Sequence, residues 1–82
     1  MNAPGYKDLT KGEKFIFDWQ YNQLNTFGYA LIELLKLSEI VELNKLSRGF
    51  PDEVTGFMDY SYSPGWWTFV QKKAFKELFK PN

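Results

Sequence analysis

The sequence predicts an all-α, compact four-helix domain. Three observations carry that expectation. Apolar residues recur at three- and four-residue spacing along most of the chain, no stretch alternates in the period-two manner of a strand, and each proposed helix boundary has a proline, a glycine or a hydroxyl residue beside it. At 82 residues one domain, residues 1–82, is expected.

Residues 1–9 read as an N-terminal arm. Thr10 and Glu13 then have the capping-box form, a hydroxyl at the N-cap and a carboxylate three residues on, so a helix should begin near Lys11. Asn22, Asn25, Thr26 and Gly28 are poor helix formers and could interrupt it. Against that, Phe17, Tyr21, Leu24, Gly28, Leu31 and Leu35 keep a 4-3-4-3-4 spacing, and a loop would shift the phase. The periodicity therefore predicts one long helix, about residues 11–36, with Gly28 on its buried stripe, where another backbone could approach closely. A neighbouring stripe, Ile16, Gln20, Gln23, Phe27, Ala30 and Leu34, turns from polar to apolar, so its second half should be the more buried.

Ser38 is a candidate N-cap for a second helix, about 39–48, with Ile40, Leu43 and Leu46 inward. Arg48, Gly49, Phe50 and Pro51 should stop it: Gly49 can take the left-handed conformation, Phe50 can fold back on the last turn, and Pro51 cannot continue the helix. Pro51 suits the first position of a third helix, about 51–60, with Asp52 and Glu53 at its positive end and Val54, Phe57 and Met58 inward. Ser63 and Pro64 would open a fourth, about 64–79, burying Trp67, Val70, Ala74 and Leu78, with Phe75 beside them.

Composition narrows the chemistry. Sixteen residues are aromatic, which supplies apolar area to a chain too short for a large core. His and Cys are both absent, and with them go the side chains that most often perform acid/base, nucleophilic or transition-metal work near neutral pH. No phosphate-loop or dinucleotide glycine spacing occurs. No catalytic, metal or cofactor-binding residues are expected, and the chain is not expected to be an enzyme. Met1 to Gly5 have no charged-then-apolar signal pattern, and no apolar run approaches a membrane span. Together with the missing Cys, this fits a cytoplasmic protein that does not enter membranes.

Net charge is zero but unevenly placed. Residues 1–63 carry six basic and nine acidic side chains, whereas residues 64–82 carry Lys72, Lys73, Lys76 and Lys80 against Glu77 alone. A basic last helix could dock on the acidic body or present an outward surface. Two surfaces stand out as candidate partner-binding sites. On the last helix, Trp66 and Phe69 precede Lys72, Lys73, Lys76 and Lys80; on the first, Trp19 and Tyr29 sit among small polar residues. In either case the plainer reading is that the rings pack against another helix. Three binding roles follow: a protein partner, nucleic acid through the basic aromatic last helix, or a homodimer or larger homo-oligomer in which a helix with two apolar faces satisfies the second against its own copy. Arg occurs once, which disfavours nucleic acid.

The segments Gly49-Phe50-Pro51-Asp52-Glu53-Val54 and Ser63-Pro64-Gly65-Trp66-Trp67, with Trp19-Gln20-Tyr21 and Phe27-Gly28-Tyr29-Ala30-Leu31-Ile32 before them, resemble a pattern in small helical proteins encoded by bacteriophages. The likeness spans about residues 14–70 and leaves the lysine-rich end outside. It implies an accessory protein that binds and modulates or inhibits a larger host or phage protein, and it assigns no residue a role.

Overall fold

A computed structural model describes residues 3–76. Among them are five α-helices, a short 3-10 turn at Tyr6–Asp8, and no strand. The helices are α1 (Lys11–Gln20), α2 (Thr26–Leu37), α3 (Ile40–Gly49), α4 (Pro51–Tyr62) and α5 (Trp66–Phe75). None is long and apolar enough to cross a membrane.

The expected first helix is two helices. Tyr21 caps α1, and Asn22 takes the left-handed conformation with φ 58°. The Gln23 N–H donates to the Asp18 carbonyl at 2.7 Å and the Asn22 N–H to the Trp19 carbonyl at 3.2 Å, which together make a Schellman stop. Asn25 then starts α2, its side chain accepting from the Gly28 N–H at 2.8 Å. Asparagine does both jobs because its short amide tolerates positive φ and mimics a backbone acceptor. The 4-3-4 phase survives across the break, so periodicity could not reveal it.

Thr10 and Glu13 form the expected capping box at the start of α1. Ser38 does not cap α3: its hydroxyl donates back to the Leu34 carbonyl at 2.7 Å, closing α2, and the N-cap is Glu39, whose N–H donates to Glu42 at 2.8 Å. Gly49 is the last residue of α3 rather than a left-handed stop, and Phe50 serves as C-cap of α3 and N-cap of α4. Pro51 opens α4 with Asp52 and Glu53 in the first turn, as expected. Ser63 and Pro64 build a turn instead of a helix start. The Trp66 N–H donates to the Ser63 carbonyl, Pro64 precedes Gly65 at φ 83°, and this is the residue pattern of a type II turn, so α5 begins at Trp66. Lys76 at φ 61° ends α5 at Phe75, short of the expected residue 79. Leu78 and Lys80 lie outside the described residues.

The molecule is a slab of 45 × 26 × 17 Å with a radius of gyration of 13.3 Å, against roughly 12 Å for a compact chain of this length. A helix with its side chains is about 10 Å across, so the slab is at most two layers thick and a helix in it has one side open. Two small cores occupy it. Leu9, Phe17, Val70 and Ala74 form one, with Tyr6, Tyr21, Trp67 and Phe75 around them. Leu31, Leu35, Leu43 and Val54 form the other, with Phe15, Leu46, Phe50 and Phe57 around them. The segment read as an arm belongs to the first core: Leu9 is buried, and the Gly5 N–H caps the Ala74 carbonyl of α5 at 2.6 Å.

Between α1 and α4, the most extensive helix pair, lies a glycine–glycine crossing. A Cβ on Gly56 would sit 2.5 Å from the Gly12 carbonyl oxygen, and one on Gly12 would sit 2.6 Å from that of Asp52. The close backbone approach expected at Gly28 is found here instead. Gly28 is buried, but its neighbours are the side chains of Leu24 and Asn25.

Candidate functional site

The four rings singled out in the sequence divide by burial. Trp19 is half-buried, edge-on to Tyr60 at 5.3 Å between ring centres, with the Lys36 ammonium 5.9 Å from its ring. It pins α1 to α4. Tyr29 is half-buried on α2, a separate helix, so the break at residues 21–25 divides that flank. Trp66 is half-buried against the first core, and Trp67 is half-buried too, near Phe17, Tyr21 and Tyr60. The adjacent pair therefore does not separate into one buried and one exposed ring. Phe69 alone of the four is exposed, at 43%.

The lysines divide as well. Lys72 and Lys76 are exposed, whereas Lys73 reaches across to α1 and donates to Glu13 Oε1 at 2.8 Å, 5.9 Å from the Phe69 ring. Those two side chains are 21% and 10% exposed, so the pair is largely withdrawn from solvent. Part of the basic helix is thus docked on the acidic body. Burial pushes the Glu13 carboxyl up. Hydrogen bonds from Lys73 and the Thr10 N–H, with the Lys73 charge, outweigh it and hold the group below its ordinary range. A Lys73→Glu change would set two carboxylates together in this half-buried place.

On the same α1, Asp18 accepts from the Tyr6 hydroxyl at 2.8 Å. Burial, that hydrogen bond and the Asp18 charge push the Tyr6 phenol up to about 12. A raised phenol pKa means the neutral form is favoured by folding, so its contribution is full below the unfolded value of about 10 and is lost as pH rises through the folded value. In an alkaline NMR titration Tyr6 is expected to ionise late. Asp18→Asn should bring it part of the way back, because burial remains; an unchanged Tyr6 titration would refute the pairing.

The largest departure from the sequence reading is on α2 and α3. Phe27 is 61% exposed, Leu34 48%, Leu37 83%, Ile40 59% and Val41 57%, and Ala30 is exposed among them. Phe27 and Leu34 were expected in the more buried half of their stripe, and Ile40 was expected to face inward. The reverse holds: Ile16 at the start of that stripe is fully buried. The reason is the slab. Helix α2 buries Gly28, Leu31, Ile32 and Leu35 on one face, and Phe27, Ala30, Leu34 and Leu37 occupy a second, adjoining face with no layer over it. Shallow apolar depressions flank Leu34, one reaching Phe27 and Phe50, the other Ser38 and Leu46. The 27-30-34-37 spacing was available in the sequence. Nothing there distinguished the covered face from the open one.

Among the described residues no group of three acidic side chains could hold a metal ion. No protein-family model, curated protein or solved structure matches this chain.

Proposed function

We propose that this chain is a small, non-catalytic protein-binding module whose contact face is the open apolar ridge of α2 and α3. The uncovered run of Phe27, Ala30, Leu34 and Leu37 carries the reading. Contiguous exposed apolar surface of this kind is unusual on a monomer and is characteristic of interaction sites, since burying each such side chain contributes roughly 1.5–3 kcal/mol. The likeness of residues 49–54 and 63–67 to phage accessory proteins points the same way. The basic face of α5 is the weaker candidate for nucleic acid, because Lys73 is committed to Glu13 and Trp66 to the core.

Retention of proteins from a lysate of expressing cells checks this. Immobilised wild type and a Lys72→Glu/Lys76→Glu variant are expected to retain the same proteins, and a Leu34→Glu/Leu37→Glu variant to lose them. Equal retention by the α2 variant, with loss in the α5 variant, would move the contact to the basic helix.

A further inference from the structure

We infer that the partner on the α2 face is a second copy of the chain, packed antiparallel about a two-fold axis at the level of Ile32. This rests on the reading of that face as a protein-binding site. The exposed stripe is palindromic in spacing, and its mirrored residues are complementary in size. Phe27 and Leu37 lie five residues either side of position 32, and Ala30 and Leu34 lie two either side. An antiparallel copy therefore sets Phe27 against Leu37 and Ala30 against Leu34 at every level, a large residue meeting a small one in the two central layers. The 3-4-3 spacing is that of a helix seam whose knobs enter the facing holes. An isologous pair needs this self-complementarity, and an unrelated partner does not.

Charge and area agree. Glu33, beside the stripe, is paired with Lys36 on its own helix at 2.9 Å, so that flank brings no net charge against its copy. The whole chain carries ten basic and ten acidic side chains, so two copies do not repel as bodies. Five large, half-exposed side chains offer on the order of 500 Å² per copy, or ~1,000 Å² in the pair. That is the lower limit for a specific interface, so micromolar self-association is expected rather than a permanent dimer. Ile40 and Val41, three and four residues past Leu37 in the chain, are exposed as well.

Light scattering and sedimentation across micromolar to millimolar concentration test this on the purified chain. Wild type is expected to pass from monomer to dimer. Leu37→Glu, at a position 83% exposed and so unable to disturb the core, is expected to stay monomeric with unchanged helical circular dichroism. The chain has no Cys, so orientation can be read by mixing Ala30→Cys with Leu34→Cys proteins under mild oxidation. Antiparallel packing favours the mixed disulfide, and parallel packing the two like pairs. A wild type that stays monomeric, a Leu37→Glu variant that still dimerises, or like-pair disulfides would each overturn the inference. A monomeric wild type that still retains other proteins through Leu34 and Leu37 would overturn the self-association alone. Loss of both behaviours would remove the binding face itself.

Discussion

Gly56→Ala is expected to destabilise the fold by about 2–3 kcal/mol, a large share of the few kcal/mol available to a domain this small. In an ordinary helix interior the change would stabilise by about 1 kcal/mol, because alanine loses less backbone entropy. Here the new methyl would meet the Gly12 carbonyl oxygen at 2.5 Å and the Gly12 carbonyl carbon at 2.9 Å. Both are backbone atoms, so no side chain can swing aside, and α1 and α4 must separate along the most extensive helix contact in the molecule. The lost packing exceeds the propensity gain. Gly49→Ala is the internal control: a methyl there meets nothing within 4 Å, and its φ is not positive, so it should be neutral or stabilising by up to ~1 kcal/mol. Urea unfolding followed by tryptophan fluorescence measures both. Equal midpoints for Gly56→Ala and wild type would mean that the two helices do not touch there.

Glu13→Ala is expected to cost about 3 kcal/mol. It removes one half of the α1 capping box, worth about 1 kcal/mol, and leaves the Lys73 ammonium, 21% exposed, without its carboxylate. Replacing both partners, as in Glu13→Leu with Lys73→Met, should cost less than Glu13→Ala alone, since no charge is then stranded. The pH dependence has a definite sign. Glu13 titrates below its ordinary value in the folded chain, so its contribution is full above the unfolded carboxylate pKa of about 4.3 and is lost as pH falls through the folded value. Acid unfolding of wild type against the double variant isolates this contribution: the stability difference between them should shrink toward low pH. A constant difference would show that the ion pair contributes nothing.

Local chemistry was legible at the starts of α1 and α4, where neighbouring residues make the boundary. Thr10 with Glu13, and Pro51 with Asp52 and Glu53, act as their spacing implies, because caps are settled within four residues. The break at residues 21–25 was half legible. Asn22 and Asn25 carry it, but their signal competed with an unbroken apolar phase, and the bond from Gln23 to Asp18 that seals the stop needs the turn already formed. The Ser63–Trp66 turn misled for a related reason: proline suits both a helix start and a turn, and it is Gly65 at φ 83° that selects the turn.

The candidate sites were less legible. Trp19, Tyr29 and Trp66 were candidates for contact, with packing against another helix the plainer reading, and the tertiary arrangement half-buries each of them. Phe27, Leu34 and Ile40 were assigned to the interior and are exposed. By itself the sequence determined the helical class, the starts of α1 and α4, and the apolar character of α2, since capping and periodicity are properties of residues a turn or two apart. Only the tertiary structure decided that α1 and α4 meet backbone to backbone at Gly12 and Gly56, that Lys73 is held by Glu13, and which apolar face of α2 is covered. Those depend on how five short helices share a slab 17 Å thick. Such a slab has too few layers to cover both faces of one helix, and periodicity, which measures how apolar a face is, carries no information about what lies across from it.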